Sequence, residues 1–251
     1  MGNKFYQPGE CRAEKVEDLF AAIAPRYDLI NDLQSLGLHR GWKRRMVALS
    51  EANPGVTALD LCCGTGDVAF RLAVRGARVA GLDFSGPMLS VAALRAAAIG
   101  QASGTMPPLF LRGDAQRIPF PEATFDVVTI SYGLRNLADL DRGLGEMWRV
   151  LRPGGRLLIL DFGRPDNRVW RALYFAYLRW LVPVFGRVFC GDSATHAYIL
   201  ESLLHYPAQR GVAARLEGMG CVEVRLFNLL GGMMSINTAR KPGAAFKAPT
   251  A

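Results

Sequence analysis

The chain has 251 residues, half of them apolar, and a formal net charge of +8. That length suits one α/β domain with elaborations, and the apolar share confines expected disorder to the first dozen residues and the tail from Lys241. The excess of base fits an anionic surface or acidic substrates; no aromatic-basic pattern or zinc-finger spacing points to nucleic acid, and five cysteines without a C-x-x-C fit a reduced compartment.

Between Glu14 and Leu49, Val16, Leu19, Phe20 and Ile23 recur at helical spacing, which predicts two helices ahead of the first strand. Five short apolar segments then alternate with helical stretches: Val56 to Leu61, Ala77 to Asp83, Pro108 to Arg112, Phe125 to Ser131 and Arg156 to Phe162. This rhythm belongs to βαβ units and a parallel sheet. Pro153-Gly154-Gly155 marks a turn after a helix carrying Leu144, Met147, Trp148 and Leu151. Val222 to Leu229 and Met233 to Ala239, joined through Gly231-Gly232, predict an antiparallel hairpin that closes a seven-stranded sheet.

The chain reads as a single domain: a helical cap over 1–52, a binding core over 53–163, a helical lid or membrane-facing insertion over 164–210, a closing helix and hairpin over 211–241 and a flexible tail over 242–251. Within the insertion, Arg168 to Pro183 mixes three arginines with Trp and Tyr. It is too interrupted for the ~20 apolar residues of a spanning helix. It fits an interfacial helix, a lid over an apolar substrate, or an amphipathic helix packed on the sheet. No apolar run follows a basic start, so no secretory signal is expected, and Tyr6 stands where N-myristoylation requires Ser or Thr.

The segment from Ala58 to Ala69 runs an apolar strand into a glycine turn flanked by Asp60 and Asp67. Gly64-x-Gly66-x-x-Ala69 alone fits a dinucleotide fingerprint or a plain tight turn. A pyrophosphate there meets two carboxylates, at about 2 to 3 kcal/mol each for roughly 6 Å and an effective dielectric of about 20, before screening. A ligand with ammonium and sulfonium groups is attracted instead, and S-adenosylmethionine carries both. Asp60 is expected to take the ammonium, directly or through water, with the N–H groups of the Gly64-Thr65-Gly66 turn near the methionine carboxylate. Asp83 ends the next strand and suits the ribose; Asp114 and Ala115 follow the third strand and suit the adenine. Each acid also has a plainer reading, as a strand-end cap or a solvated loop residue. The fourth strand ends in Ser131-Tyr132-Gly133-Leu134-Arg135-Asn136, where substrate chemistry belongs.

Several blocks occur in order: Phe20-x-x-Ile23-Ala24-x-Arg26-Tyr27-Asp28, Ser35-x-Gly37-x-His39-Arg40-x-Trp42-Lys43, Leu59-Asp60-Leu61-Cys62-Cys63-Gly64-Thr65-Gly66, Tyr132-Gly133-Leu134-Arg135-Asn136 and Val150-Leu151-Arg152-Pro153-Gly154-Gly155. Through them the chain, from about Val16 to Lys241, resembles the quinone-biosynthesis C-methyltransferases of the menaquinone and ubiquinone pathways. The resemblance implies an α/β, class I S-adenosylmethionine-dependent methyltransferase (Rossmann-like) fold, with cofactor contacts at Thr65, Asp83, Asp114, Ala115 and Ser131. It implies a prenylated naphthoquinol or benzoquinol as methyl acceptor. It also implies a cytoplasmic enzyme, peripheral at the inner face of an anionic membrane, and is compatible with a homo-oligomer.

A quinol carbon becomes nucleophilic when its hydroxyl ionises, yet a phenol of pKa near 10 is ionised about one part in a thousand at pH 7, a deficit of roughly 4 kcal/mol. Arg135 is expected to lower that pKa, with Asn136 and Tyr27 holding a water or the quinol oxygen. His39 is the alternative base, or else a cap histidine bound to a backbone carbonyl. His196 and His205 read as lid or surface residues. Well-separated histidines and unclustered cysteines speak against a metal site. The competing classes are an NAD-dependent oxidoreductase, which must tolerate Asp60 and Asp67 beside a pyrophosphate, and a non-catalytic nucleotide or RNA-binding module, which needs nothing at Arg135.

Overall fold

The computed structural model describes residues 27–103, 106–184 and 194–243. The helical spacing from Val16 to Ile23, Cys11, Cys190, the first dozen residues and the tail from 244 lie outside the described residues.

The described cap consists of α1 (Tyr27–Ser35) and α2 (Leu38–Leu49). There follow β1 (Thr57–Leu61), α3 (Asp67–Val74), β2 (Arg78–Asp83), α4 (Gly86–Ser103), β3 (Leu109–Arg112), β4 (Phe125–Ser131), α5 (Leu140–Val150) and β5 (Leu151–Phe162). After β5 come α6 (Arg168–Ala176), prolonged by the π-helical Tyr177–Leu181 and residues 182–184, then α7 (Ala194–His205), α8 (Ala208–Gly218), β6 (Val222–Leu229) and β7 (Met234–Arg240). The sheet order is β3-β2-β1-β4-β5-β7-β6. β7 runs antiparallel to both neighbours and the other pairings are parallel. This is the seven-stranded, mostly parallel sheet with a C-terminal hairpin that the spacing predicts.

Two local expectations change. Pro153-Gly154-Gly155 is a bulge within β5 rather than a turn before it, because the ladder steps from Leu151 opposite Phe125 to Arg156 opposite Val127. Gly154 adopts φ 80° there, and Lys241 holds the bulge by exchanging backbone hydrogen bonds with Gly154 and Gly155 at 2.9 Å. Adjacent in sequence, Cys62 and Cys63 read as pointing to opposite faces of a strand, but both lie past the end of β1, and Cys62 turns the chain at φ 50°.

Side-chain alternation along the strands builds two cores. Leu59 and Leu61 of β1, Val128 and Ile130 of β4, and Leu157 and Ile159 of β5 pack with Leu144 and Met147 of α5 and with Tyr174 and Leu178 of the 168–184 helix. Ala58, Val127 and Leu158, one residue out of phase, pack with Met46 and Val47 of α2 and Leu72 of α3. Each fully buried Leu contributes about 1.5 to 3 kcal/mol, so a one-residue slip of β1 inverts the whole arrangement. The same alternation puts Asp60 and its register partner Thr129 on the α2–α3 side.

Gly66 precedes α3 at φ 85°, and a Cβ there meets Phe110 Cζ at 2.7 Å and Phe70 Cε2 at 2.8 Å. The two rings are themselves paired edge to face. Gly66→Ala therefore adds left-handed strain to a ring clash and is expected to lower the unfolding free energy by about 2 kcal/mol, read by urea denaturation.

Candidate active site

β1 and β4 are neighbours whose chains leave in opposite lateral directions, and a crevice opens beyond their carboxyl ends. Left-handed residues turn both exits, Cys62 at φ 50° and Tyr132 at φ 60°. The two loops touch so closely that a Cβ on Gly133 falls 2.5 Å from Cys62 Cβ. Beyond this junction lies a pocket with about 800 Å³ of empty space, part of it open solvent. Gly64, Asp83, Asp114, Ala115, Ser131 and Asn136 all line it.

The carboxylate of Asp83 accepts the Gly64 N–H at 2.7 Å and the Ser85 N–H at 2.8 Å, which fixes it at the cavity wall. Gly66 N–H donates to Cys63 O at 2.9 Å. The N–H groups of both turn glycines are thus committed inside the protein, contrary to the expectation that the turn presents them to a ligand carboxylate. Thr65 is buried, and its carbonyl accepts from Arg95 Nη1 at 3.3 Å. Asp114 is exposed and accepts the Gln116 N–H at 2.8 Å. Gln116, which also lines the cavity, in turn accepts the Asp139 N–H at 2.7 Å.

Asp60 is 1% exposed and, like Arg135, is not among the residues that line the cavity, though it stands within electrostatic reach of Asp83. Its Oδ1 accepts from Thr129 Oγ1 at 2.7 Å, and its Oδ2 makes no full hydrogen bond, although the Ala69 N–H acts on the carboxyl. Burial pushes the carboxyl up to about 7, against the Thr129 hydrogen bond, the Lys43 charge and the Ala69 N–H, while Asp83 adds to the rise. A buried acid with an unused oxygen suits a ligand cation. Asp67, by contrast, is shared by Lys43 Nζ at 3.0 Å and Arg71 Nε at 3.0 Å. Burial raises it, but the two cations hold it below the usual carboxylate range. The negative charge that disfavours a pyrophosphate therefore narrows to Asp60 and the wall acids.

Arg135, expected beside the methyl acceptor, is buried beneath the loop and off the cavity wall. Its Nη1 donates to Asp161 Oδ1 and to Tyr132 O, both at 2.8 Å, and its backbone N–H donates to Asp161 Oδ2 at 3.2 Å. The guanidinium also lies 4.5 Å from the Phe162 ring centroid. Its charge is paired with Asp161 within the protein, and its geometry holds the Tyr132–Asn136 loop. Asn136 Nδ2 donates to the same Tyr132 carbonyl at 3.2 Å.

His39 is buried in the cap and bonds not a backbone carbonyl but Ser35 Oγ, at 2.9 Å from Nδ1; Nε2 stands 3.7 Å from Asp32 Oδ1. Burial, then the Lys43 charge, lowers its pKa, so it is neutral at pH 7. Tyr27 begins α1, and its side chain, like that of His196, lies outside the described residues; His205 is exposed and bonds Glu201 O. Lys43, Thr129, Gln116 and Asp161 carry no role that the sequence alone assigns. The acid ending the apolar run of β5 was the available signal for Asp161.

A family model described as the ubiE/COQ5 methyltransferase family matches residues 9–241. The chain belongs to this family. It is 38% identical over 237 residues to a demethylmenaquinone methyltransferase of Desulfitobacterium hafniense (strain Y51), covering 93% of this chain and 92% of that one. It is 37% identical over 238 residues to a ubiquinone/menaquinone biosynthesis C-methyltransferase UbiE of Stutzerimonas stutzeri (strain A1501), covering 94% and 92%. Among solved structures, a SAM-dependent methyltransferase from Aquifex aeolicus shares the fold at TM-score 0.57 and 18% identity, over 79% of this chain and 88% of that one. The [4+2]-cyclase SpnF shares it at TM-score 0.63 and 18% identity, over 94% and 97%. The fold is thus that of the class I S-adenosylmethionine-dependent methyltransferases, and SpnF shows that the fold alone does not fix the reaction.

Because the folded-state pKa of Asp60 is raised, its ionisation carries a cost to folding, and that cost is absent below about pH 4 and complete above about pH 7. Asp60→Asn is expected to stabilise the ligand-free protein at pH 8, by up to about 4 kcal/mol, and to be near neutral at pH 4. Chemical denaturation at the two pH values reads this.

Proposed function

We propose that the chain transfers a methyl group from S-adenosylmethionine to a ring carbon of a prenylated quinol, demethylmenaquinol first. Family membership supports the reaction class, and relatives named for both quinone pathways keep 2-methoxy-6-polyprenyl-1,4-benzoquinol as the second acceptor. The single observation that carries the cofactor assignment is the buried Asp60, its Oδ2 without a hydrogen bond, within electrostatic reach of Asp83 on a cavity wall that also holds Asp114. That acid set suits a cationic nucleoside and opposes a pyrophosphate.

S-adenosylmethionine, when bound, supplies an electrophilic methyl group on sulfur. In this reading Asp60 accepts from its ammonium, Asp83 from the ribose hydroxyls and Asp114 from the adenine amino group, with the Ala115 N–H at a ring nitrogen and Gly64, Thr65, Gly66 and Ser131 shaping the contact surface. Asn136 orients the quinol oxygen. Arg135 acts through the loop it holds, and the Asp161 charge beside it leaves it little power to acidify a phenol directly. Tyr27 keeps its assignment to the acceptor oxygen or its water. The neutral His39, in the described part of the cap, is a group able to take a proton. The enzyme works in the cytoplasm at the inner face of the membrane that holds its substrate; among the described residues no helix is long and apolar enough to cross it.

The test is methyl transfer from radiolabelled S-adenosylmethionine to reduced prenyl-naphthoquinol and prenyl-benzoquinol in detergent. Label in the naphthoquinol is expected, with label in the benzoquinol as well if the enzyme serves both pathways; label in neither, with cofactor binding intact, rejects the quinol reading. Asn136→Ala is expected to lower kcat about tenfold or more while cofactor affinity stays within about twofold. Affinity for S-adenosylhomocysteine is expected to rise about tenfold per unit between pH 5 and pH 7 and to flatten above about 7, as Asp60 ionises. In Asp60→Asn the calorimetric profile should be weak and flat.

A further inference from the structure

The helix over 168–184 has two unlike sides. Tyr174, Leu178 and Val182 face the core. On the opposite side Val169 is 71% exposed, Leu173 57%, Trp180 74% and Val184 53%. Their spacings of four, seven and four residues make one apolar stripe along the whole helix. At its N-terminal end Trp170 donates its ring N–H to Leu230 O at 3.0 Å, so the exposed Leu230 of the β6–β7 turn adds to the same patch. Arg168 and Arg179, both exposed and eleven residues apart, fall on one flank of the stripe. No Asp or Glu occurs from Arg168 to Val184, and the preceding Asp166 is paired with Arg210 at 2.7 Å.

We propose that this stripe docks the protein on an anionic lipid bilayer, with the helix lying in the interface and Arg168 and Arg179 among the phosphates. The surface is argued from exposure and charge, and rests on the quinol reading only for its purpose. A bilayer matches three features together: an apolar face with tryptophan, an arginine flank without acids, and a helix too interrupted to cross. A second copy matches poorly, because it sets one surface of a +8 chain against another. Docking also bears on the site. Tyr174, on the buried side, lies within electrostatic reach of Arg135 and Asp161 and bonds Met233 O at 3.3 Å. The helix that would rest on the lipid therefore stands within electrostatic reach of the pair that holds the loop after β4.

Co-sedimentation of the full chain with vesicles of phosphatidylglycerol and phosphatidylcholine, compared with phosphatidylcholine alone, tests this. The wild type is expected to bind the anionic vesicles and to shift its tryptophan emission to the blue. Leu173→Ser/Trp180→Ser should weaken binding about tenfold or more, and Arg168→Gln/Arg179→Gln about fivefold for each arginine, on anionic vesicles only. Both variants should keep methyl transfer to a short-chain quinol in detergent, which shows that they fold. Absence of wild-type binding, or variants that bind like the wild type, overturns the proposal. So does a concentration-dependent self-association that the apolar variant abolishes, which assigns the stripe to a second copy. Failure of the detergent reaction in the wild type strikes the quinol reading and leaves the vesicle result to stand by itself.

Discussion

The contact between the loops that leave β1 and β4 is the constraint from which the site follows. Cys62 and Gly133 approach until only a hydrogen fits on Gly133. That closeness depends on left-handed backbone at Cys62 and Tyr132, a conformation that costs non-glycine residues about 1 kcal/mol or more and persists only where surroundings enforce it. On one side of the junction Arg135 and Asp161 enforce it, because Arg135 Nη1 binds the Tyr132 carbonyl. On the other, the Asp83 carboxylate clamps the Gly64 N–H. The wall of the cavity is thus a consequence of two acids at strand ends, each holding a neighbouring loop.

Charge is distributed so that only part of it is left for a ligand. Lys43 and Arg71 absorb the carboxylate of Asp67 at the start of α3, and Asp161 absorbs the guanidinium of Arg135. Asp60 is left with one used and one unused oxygen in a buried place, where burial disfavours its charge. A cationic ligand restores the charged form, so binding energy is drawn partly from strain the fold already holds. Lys43 links this centre to the cap. Its ammonium reaches Asp67 from α2 and stands 5.9 Å from the Tyr132 ring, joining cap, cofactor turn and acceptor loop in one cluster.

The sheet was legible because alternation and spacing are local. All seven strands stand where the apolar runs put them, with β5 beginning five residues earlier at Leu151, and Asp83 and Asp114 share one cavity wall because parallel strands end together. What the sequence could not show is pairing at long range. The same rule that marks Asp60 and Asp83 as strand-end acids also applies to Asp161, yet its partner lies 26 residues away along the chain. Arg135 therefore read as an available cation when it is a compensated one. The turn glycines misled in a similar way, since donors that a motif offers to a ligand are taken by Asp83 and Cys63. The segment from Arg168 to Pro183 kept three readings in sequence; the fold shows it packed on one side and exposed on the other, as an amphipathic helix is.

Carbon methylation and oxygen methylation of a quinol use the same donor and leave products of the same mass, and the central claim is that the new bond is to carbon. The most direct measurement is the oxidation behaviour of the purified methylated product, supported by its NMR methyl shift. A ring-methylated product keeps both hydroxyls and reoxidises to a quinone in air, which is the result expected here. A methyl ether that resists oxidation contradicts the account.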